Sequence, residues 1–243
     1  MAKTMEGKVV AITGASSGIG RAIARELAPL GTKLVLNGLV DRELDAIRTE
    51  FGDAAAIVGG DIADKQVAEQ FLATAMRRFG RVDVLVNNAG IFRKGAVGSI
   101  DIGAMEVMIA LNFAAVVRNC YLFAPGMVAQ GGGHIVNVSS ISAHLTTPGC
   151  GVYGGTKRAV EGFSHALRIE LAGTGVRVSV IAPGTTDTDL FDRVPGHGRA
   201  ASANPDVRML KPEDLAQSVR FVLEREDHAN IPYMQVYSAD QRH

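Results

Sequence analysis

Short, wholly apolar runs alternate along this chain with longer stretches in which apolar residues recur every three or four positions. Lys8 to Thr13 is the first expected strand, around the run Val9 to Ile12, and Ile19, Ala22, Ile23, Leu27 and Leu30 then keep helical spacing. Further strands are expected at Lys33–Asn37, Ala55–Val58, Val82–Val86, Ile135–Val138, Val176–Ile181 and Pro232–Tyr237. Helical patterns fill the gaps: Arg42–Phe51, Val67 to Phe79, Asp101–Gln130 with a break around Asn112, Tyr153–Leu171, and a last helix opened by Pro212. Strands with no polar alternation are buried on both faces. Alternating with helices of this length, they predict a doubly wound parallel α/β sheet of seven strands, with helices on both faces.

No repeat, linker or low-complexity segment divides residues 1–243, so one domain is expected. Its irregular stretch is 187–209, with Pro195, Pro205 and Gly196-His197-Gly198, too long for a plain connector and read as a lid-like insertion. Of the 243 residues 47% are apolar, and 25 basic side chains balance 25 acidic ones. That balance excludes a partner recruited by bulk charge, so neither nucleic acid nor an anionic membrane is expected. Cys120 and Cys150 are too few for a disulfide framework, the first residues lack a signal peptide's apolar core, and no apolar run reaches spanning length. A cytoplasmic protein is the expectation.

Chemistry concentrates in two places. The first strand runs directly into Thr13-Gly14-Ala15-Ser16-Ser17-Gly18-Ile19-Gly20 and then a helix, the context of a Rossmann-type dinucleotide turn. Glycines admit a pyrophosphate close to the backbone, and the helix start offers unpaired N–H groups to its charge. The second place is Ser139 to Lys157. On a helix Lys157 lies about 40° around and about 6 Å along from Tyr153, so phenol and ammonium are neighbours. The ammonium favours phenolate, drawing a phenol of ordinary pKa ~10 toward use as an acid/base near neutrality. Elsewhere, Asp61 either accepts a hydrogen bond from an adenine amino group or, with Asp64, caps the following helix. Asn87 and Asn88 tie strand ends together. Gly154 and Gly155, costly in a helix, suggest close approach of another backbone or a cofactor.

T-G-A-S-S-G-I-G, N-N-A-G (87–90), the Ser140-to-Tyr153 spacing, Y-G-G-T-K (153–157) and P-G-T-T-D-T (183–188), in this order, resemble the short-chain dehydrogenase/reductase family over essentially the whole chain. The resemblance implies an NAD(P)-dependent oxidoreductase that interconverts a secondary alcohol and a carbonyl, a small-molecule substrate. It makes Tyr153 the acid/base, Lys157 its partner and ribose anchor, Ser140 (ahead of Ser139) the residue on the substrate oxygen, and Asn112 the holder of a water relay. It assigns Gly14, Ser16, Ser17, Gly18, Ile19, Gly20, Leu39, Asp61, Ile62, Asn88, Ala89 and Gly90 to the nucleotide. Pro183, Gly184, Thr186 and Thr188 fall to the segment against the carboxamide. No metal is implied. A catalytically silent nucleotide sensor and an imine or enoyl reductase are the alternatives.

Asn37, Gly38 and Leu39 stand where the family usually carries the acid or base that chooses between NAD and NADP. An apolar Leu39 would desolvate a 2′-phosphate without pairing it, which favours NAD, while Arg42 swinging back would favour NADP. Phe92, Val97, His144, Leu145, Cys150, Leu190 and Phe191 are candidate pocket walls, mostly apolar and with no carboxylate clamp. His144 is more simply a loop residue, Cys150 a wall rather than a nucleophile, and Arg193 and His197 solvated. The helices around 103–130 and 153–171 are apolar on more than one face, and the resemblance implies a homodimer or homotetramer through them.

Overall fold

The computed structural model describes residues 4–39, 41–145, 147–190 and 208–241. Seven strands form one parallel sheet: β1 (Val9–Ile12), β2 (Lys33–Gly38), β3 (Ala55–Gly59), β4 (Val84–Asn87), β5 (Gly133–Val138), β6 (Val176–Pro183) and β7 (Tyr233–Val236). Their order is β3-β2-β1-β4-β5-β6-β7. The helices are α1 (Gly18–Leu27), α2 (Asp41–Phe51), α3 (Lys65–Phe79), α4 (Ile102–Ile109), α5 (Ala115–Ala129), α6 (Gly151–Glu170) and α7 (Pro212–Leu223). This is the Rossmann-type architecture that the alternating pattern predicts.

Each strand feeds both layers because successive side chains point to opposite faces. From β1, Val10 and Ile12 pack with Ile23, Leu44 and Val219 of α1, α2 and α7. Val9 and Ala11 pack with Phe71, Phe123 and Val160 of α3, α5 and α6. The chain winds outward in one direction from β1 to β3 and in the other from β4 to β7. The β1–β4 boundary is therefore the switch point, where connections diverge and leave a crevice at the strands' C-terminal ends.

The break expected near Asn112 is a π-type turn, Ala110–Ala114, joining α4 to α5. By length and composition Ile102–Ala129 does qualify as a membrane span, contrary to the sequence expectation. Here it serves as a wall of the sheet: Cys120, Phe123 and Met127 are buried in the core, and Asn112 and Asn119 are buried with them. A polar ladder crosses this layer. Asn119 donates to Asn87 (3.0 Å), Asn87 to Asn137 (2.9 Å) and Asn137 to the Ser164 hydroxyl (2.9 Å). Such buried bonds are expensive to leave half made, so they fix β4 and β5 against α5 and α6. The two ends of the 187–209 insertion are pinned together, with Asp187 N–H donating to Leu210 O at 2.8 Å. Its residues 191–207, including Arg193 and His197, lie outside the described residues, as does Phe191.

Candidate active site

The glycine turn and the N-N-A-G segment meet at the switch point. The Thr13 hydroxyl accepts the N–H groups of Asn88 and Ala89, each at 3.0 Å. The Asn88 amide donates back to the carbonyls of Thr13 (3.1 Å) and Gly14 (3.2 Å). Gly14 has φ +63°, and a Cβ there would stand 2.9 Å from the Ala89 Cα. A Cβ on Gly20 would stand 2.3 Å from the Gly14 carbonyl oxygen, so α1 can press on the turn only without a side chain. The sequence puts Gly20 at the nucleotide; the structure shows it behind the turn instead, supporting the residues that face the cavity.

That cavity has a volume of about 450 Å³. It brings together every residue assigned above to nucleotide or catalysis except Gly20 and Asn112. Asp61 accepts from Ala63 N–H at 2.9 Å, whereas Asp64 caps α3 by accepting from Gln66 N–H at 2.7 Å. The capping alternative therefore belongs to Asp64, and Asp61 lines the cavity. Thr188 closes over the turn, its methyl 3.3 Å from where a Gly18 Cβ would be. Asn112 sits one layer deeper, fully buried, and clasps Ile91: it accepts from Ile91 N–H and donates to Ile91 O, both at 2.9 Å.

Across the cavity, α6 carries Tyr153 and Lys157, both buried. The expectation of close approach holds at Gly154, where a Cβ would meet the Ser142 carbonyl oxygen at 2.6 Å, and fails at Gly155, which faces open space. Ser140 leaves β5 extended and starts a short 3₁₀ turn, Ile141–Ala143, its hydroxyl oxygen accepting from Ser142 N–H at 3.1 Å. The same hydroxyl stands near enough to the Tyr153 phenol to favour its ionised form, and Phe92 stands edge-on to that ring with centroids 5.0 Å apart. Lys157 Nζ donates to Val138 O at 3.0 Å and lies 5.8 Å from the Tyr153 ring centre.

Burial governs the electrostatics here. It pushes the Tyr153 phenol up to about 12, with the Ser140 hydroxyl pulling down and the charge of an ionised Cys150 adding a smaller upward push. The same desolvation draws Lys157 down to about 8. The sequence-based expectation of a phenol already lowered by its lysine is thus corrected: desolvation outweighs the ammonium, because the amine points at Val138 rather than at the phenol oxygen.

Several residues correct or extend the sequence reading. Val97 is fully exposed, and neither His144 nor Leu145 lines the cavity; Phe92, Cys150 and Leu190 do. Arg93 and Lys94, directly after the N-N-A-G-I-F run, also line it, as does Asp189, so the wall is less uniformly apolar than expected. Asn37 lines the cavity, but its amide N–H₂ is already committed: it donates to Val58 O (3.1 Å) and Gly60 O (3.0 Å), stitching β2 to β3. Glu43, in the first turn of α2, was unmarked by any motif, yet it accepts the Ser16 hydroxyl at 2.7 Å.

The short chain dehydrogenase family model matches residues 8–197. The chain belongs to that family. An uncharacterized oxidoreductase of Staphylococcus saprophyticus is 34% identical over 231 residues, covering 93% of this chain and 95% of the relative. Among solved structures, serine dehydrogenase complexed with NADP+ has a TM-score of 0.88 at 31% identity, covering 94% of both chains. The 3-ketoacyl-(acyl-carrier-protein) reductase of Brucella melitensis, complexed with NADH, has a TM-score of 0.88 at 29% identity, covering 97% of this chain and 99% of that one. The protein is a short chain dehydrogenase-type oxidoreductase, and the glycine cradle described above fits the nicotinamide dinucleotide its relatives bind.

Burial penalises the ammonium more than the amine, so Lys157 should lose its proton near pH 8 rather than near 10.5 in the free protein. A ¹⁵N-detected titration should show one lysine with this midpoint, and Lys157→Met should remove it. A lysine set that titrates wholly above pH 10 would contradict this environment.

Proposed function

We propose that this oxidoreductase interconverts a secondary alcohol and a carbonyl, with Tyr153 as acid/base, Ser140 on the substrate oxygen and Lys157 as the supporting cation. The observation that carries the reading is that Ser140, Tyr153 and Lys157 line one cavity that is continuous with the glycine turn. A bound nicotinamide dinucleotide supplies or accepts the hydride. The chain's own residues handle the oxygen and its proton. In reduction, Tyr153 gives its proton to the developing alkoxide while Ser140 hydrogen-bonds the same oxygen. In oxidation, Tyr153 takes the alcohol proton, and Ser140 and Lys157 stabilise the phenolate that accepts it. Asn112 holds Ile91, and with it the wall between Gly90 and Lys157. Gly14, Ser16, Ser17, Gly18 and Ile19 form the pyrophosphate side; Leu39, Asp61 and Ile62 the adenosine side; Asn88, Ala89, Gly90, Pro183, Gly184, Thr186 and Thr188 the nicotinamide side.

NAD is the favoured cofactor. Solved relatives carry NADP+, 5-hydroxy-NADP and NADH, so the preference must come from local charge. Beside the glycine turn the carboxylate of Glu43 is hydrogen-bonded to Ser16. The two nearby arginines of α1 are committed to Glu50: Arg21 Nε donates at 2.9 Å, and Arg25 pairs with the same carboxylate. Leu39, 62% exposed at the rim, offers no charge. A dianionic 2′-phosphate there would meet the Glu43 carboxylate and no unengaged α1 base, leaving Arg42, exposed in the first turn of α2, as the one base of that turn to offset the acid.

A homodimer through α4, α5 and α6 fits the exposed Val107, Tyr121, Val128 and Ile169. A cytoplasmic setting fits two free cysteines, one of them buried.

Replacing Tyr153 by Phe should cut kcat by about a hundredfold or more while nucleotide dissociation constants stay within about twofold. Alcohol oxidation should rise with pH, since deprotonation of a phenol lifted above 10 creates the base. Unchanged turnover in the Phe variant would refute the assignment. For the cofactor, kcat/KM should favour NADH over NADPH, and Glu43→Ala should narrow that ratio by about tenfold, or ~1.4 kcal/mol. A ratio untouched by the substitution would remove Glu43 from the explanation. Sedimentation should give a dimer that Ile169→Glu dissociates, and a monomeric wild type would rule the interface out.

A further inference from the structure

We infer that Glu161 is a positioning residue that clamps the Ser140 turn against α6, an inference that rests on the proposed role of Ser140. Glu161 follows Lys157 by four residues, as Lys157 follows Tyr153, so all three lie along one helical face. Its side chain is only 11% exposed. One carboxylate oxygen accepts the Ser139 hydroxyl at 2.9 Å and the Tyr233 hydroxyl at 3.2 Å. The other accepts Nε2–H of His144 at 2.7 Å. The Arg158 guanidinium in turn stands against the His144 ring, 2.9 Å from Nδ1.

Ser139 immediately precedes Ser140, and His144 closes the turn that Ser140 opens, its N–H donating to Ile141 O at 2.9 Å. A single carboxylate therefore holds both ends of the segment that aims the Ser140 hydroxyl. The middle of the same segment is pressed on α6 through Ser142 O and Gly154. Tyr233 brings β7 into the clamp, and its hydroxyl accepts from Gln235 at 2.9 Å. Charge-assisted bonds of this kind are about twice as strong as neutral ones, and their loss would release the turn at both ends at once. Displacement of a positioning group by about 1 Å can cost up to ~100-fold in rate.

The test is a double-substitution cycle in the full-length protein, read as kcat, KM and the nucleotide dissociation constant. Glu161→Ala should lower kcat by about tenfold or more and leave nucleotide affinity within about twofold. Glu161→Gln, which keeps an acceptor for Ser139 and Tyr233 but turns an amide N–H₂ toward His144, should recover part of that loss. In a Ser140→Ala background the further change Glu161→Ala should cost nothing, because the group being aimed is gone. Equal losses in both backgrounds, or full turnover in Glu161→Ala, would overturn the clamp while leaving the assignment of Ser140 intact. Wild-type turnover in Ser140→Ala alone would instead bring down the reading of the site, and the clamp with it. Should Glu161→Ala fail to fold, Ser139→Ala removes one arm and carries the same cycle with a smaller expected loss.

Discussion

The Thr13 hydroxyl, held between two strands at the point where the sheet reverses direction, is the contact on which the site is built. By accepting the N–H groups of Asn88 and Ala89 it satisfies two donors that the end of β4 leaves without a ladder partner. Asn88 answers with its own amide on the turn's carbonyls. The two loops are thereby held close enough that only a glycine fits at 14 and at 20. A parallel sheet leaves its C-terminal edge open at the switch point, and these bonds turn that opening into a cleft of defined width.

The second constraint is desolvation. Tyr153 and Lys157 are ionisable groups buried in the same wall, and burial moves them in opposite directions, to about 12 and about 8. Both shifts favour the neutral form. The phenol therefore keeps its proton at neutral pH. Ser140 is the one side chain that already opposes the shift at the phenol. Its orientation comes from the β5 exit and the 3₁₀ turn, so the geometry of a backbone segment sets the electrostatics of the ring.

A third feature links fold to site. α6 contributes to the core through Val160 and Leu167, to the cavity through Tyr153 and Lys157, and to the β5 turn through Gly154 and Glu161. Different positions along one helix thus serve packing, the cavity wall and loop support. The cost of two glycines near its start, about 1 kcal/mol each relative to alanine, is offset at Gly154 by the contact it permits. At Gly155 the structure supplies no such contact.

What the sequence determined by itself was the sheet, its helices and the glycine-turn, Ser140, Tyr153 and Lys157 part of the cleft. Uninterrupted runs such as Val9–Ile12 can only be strands buried on both faces, and glycine spacing after the first of them marks the switch-point turn. These signals are local, so they are legible one segment at a time. Asn37 and Glu43 were not legible, nor was Glu161, because their partners lie 21, 27 and 22 residues away and their meaning is a hydrogen bond across elements. The lowered phenol expected from the Tyr153–Lys157 spacing failed for the same reason. Helical periodicity fixes that two side chains share a face, but only the packed interior decides how much water each has lost and toward which carbonyl an amine turns.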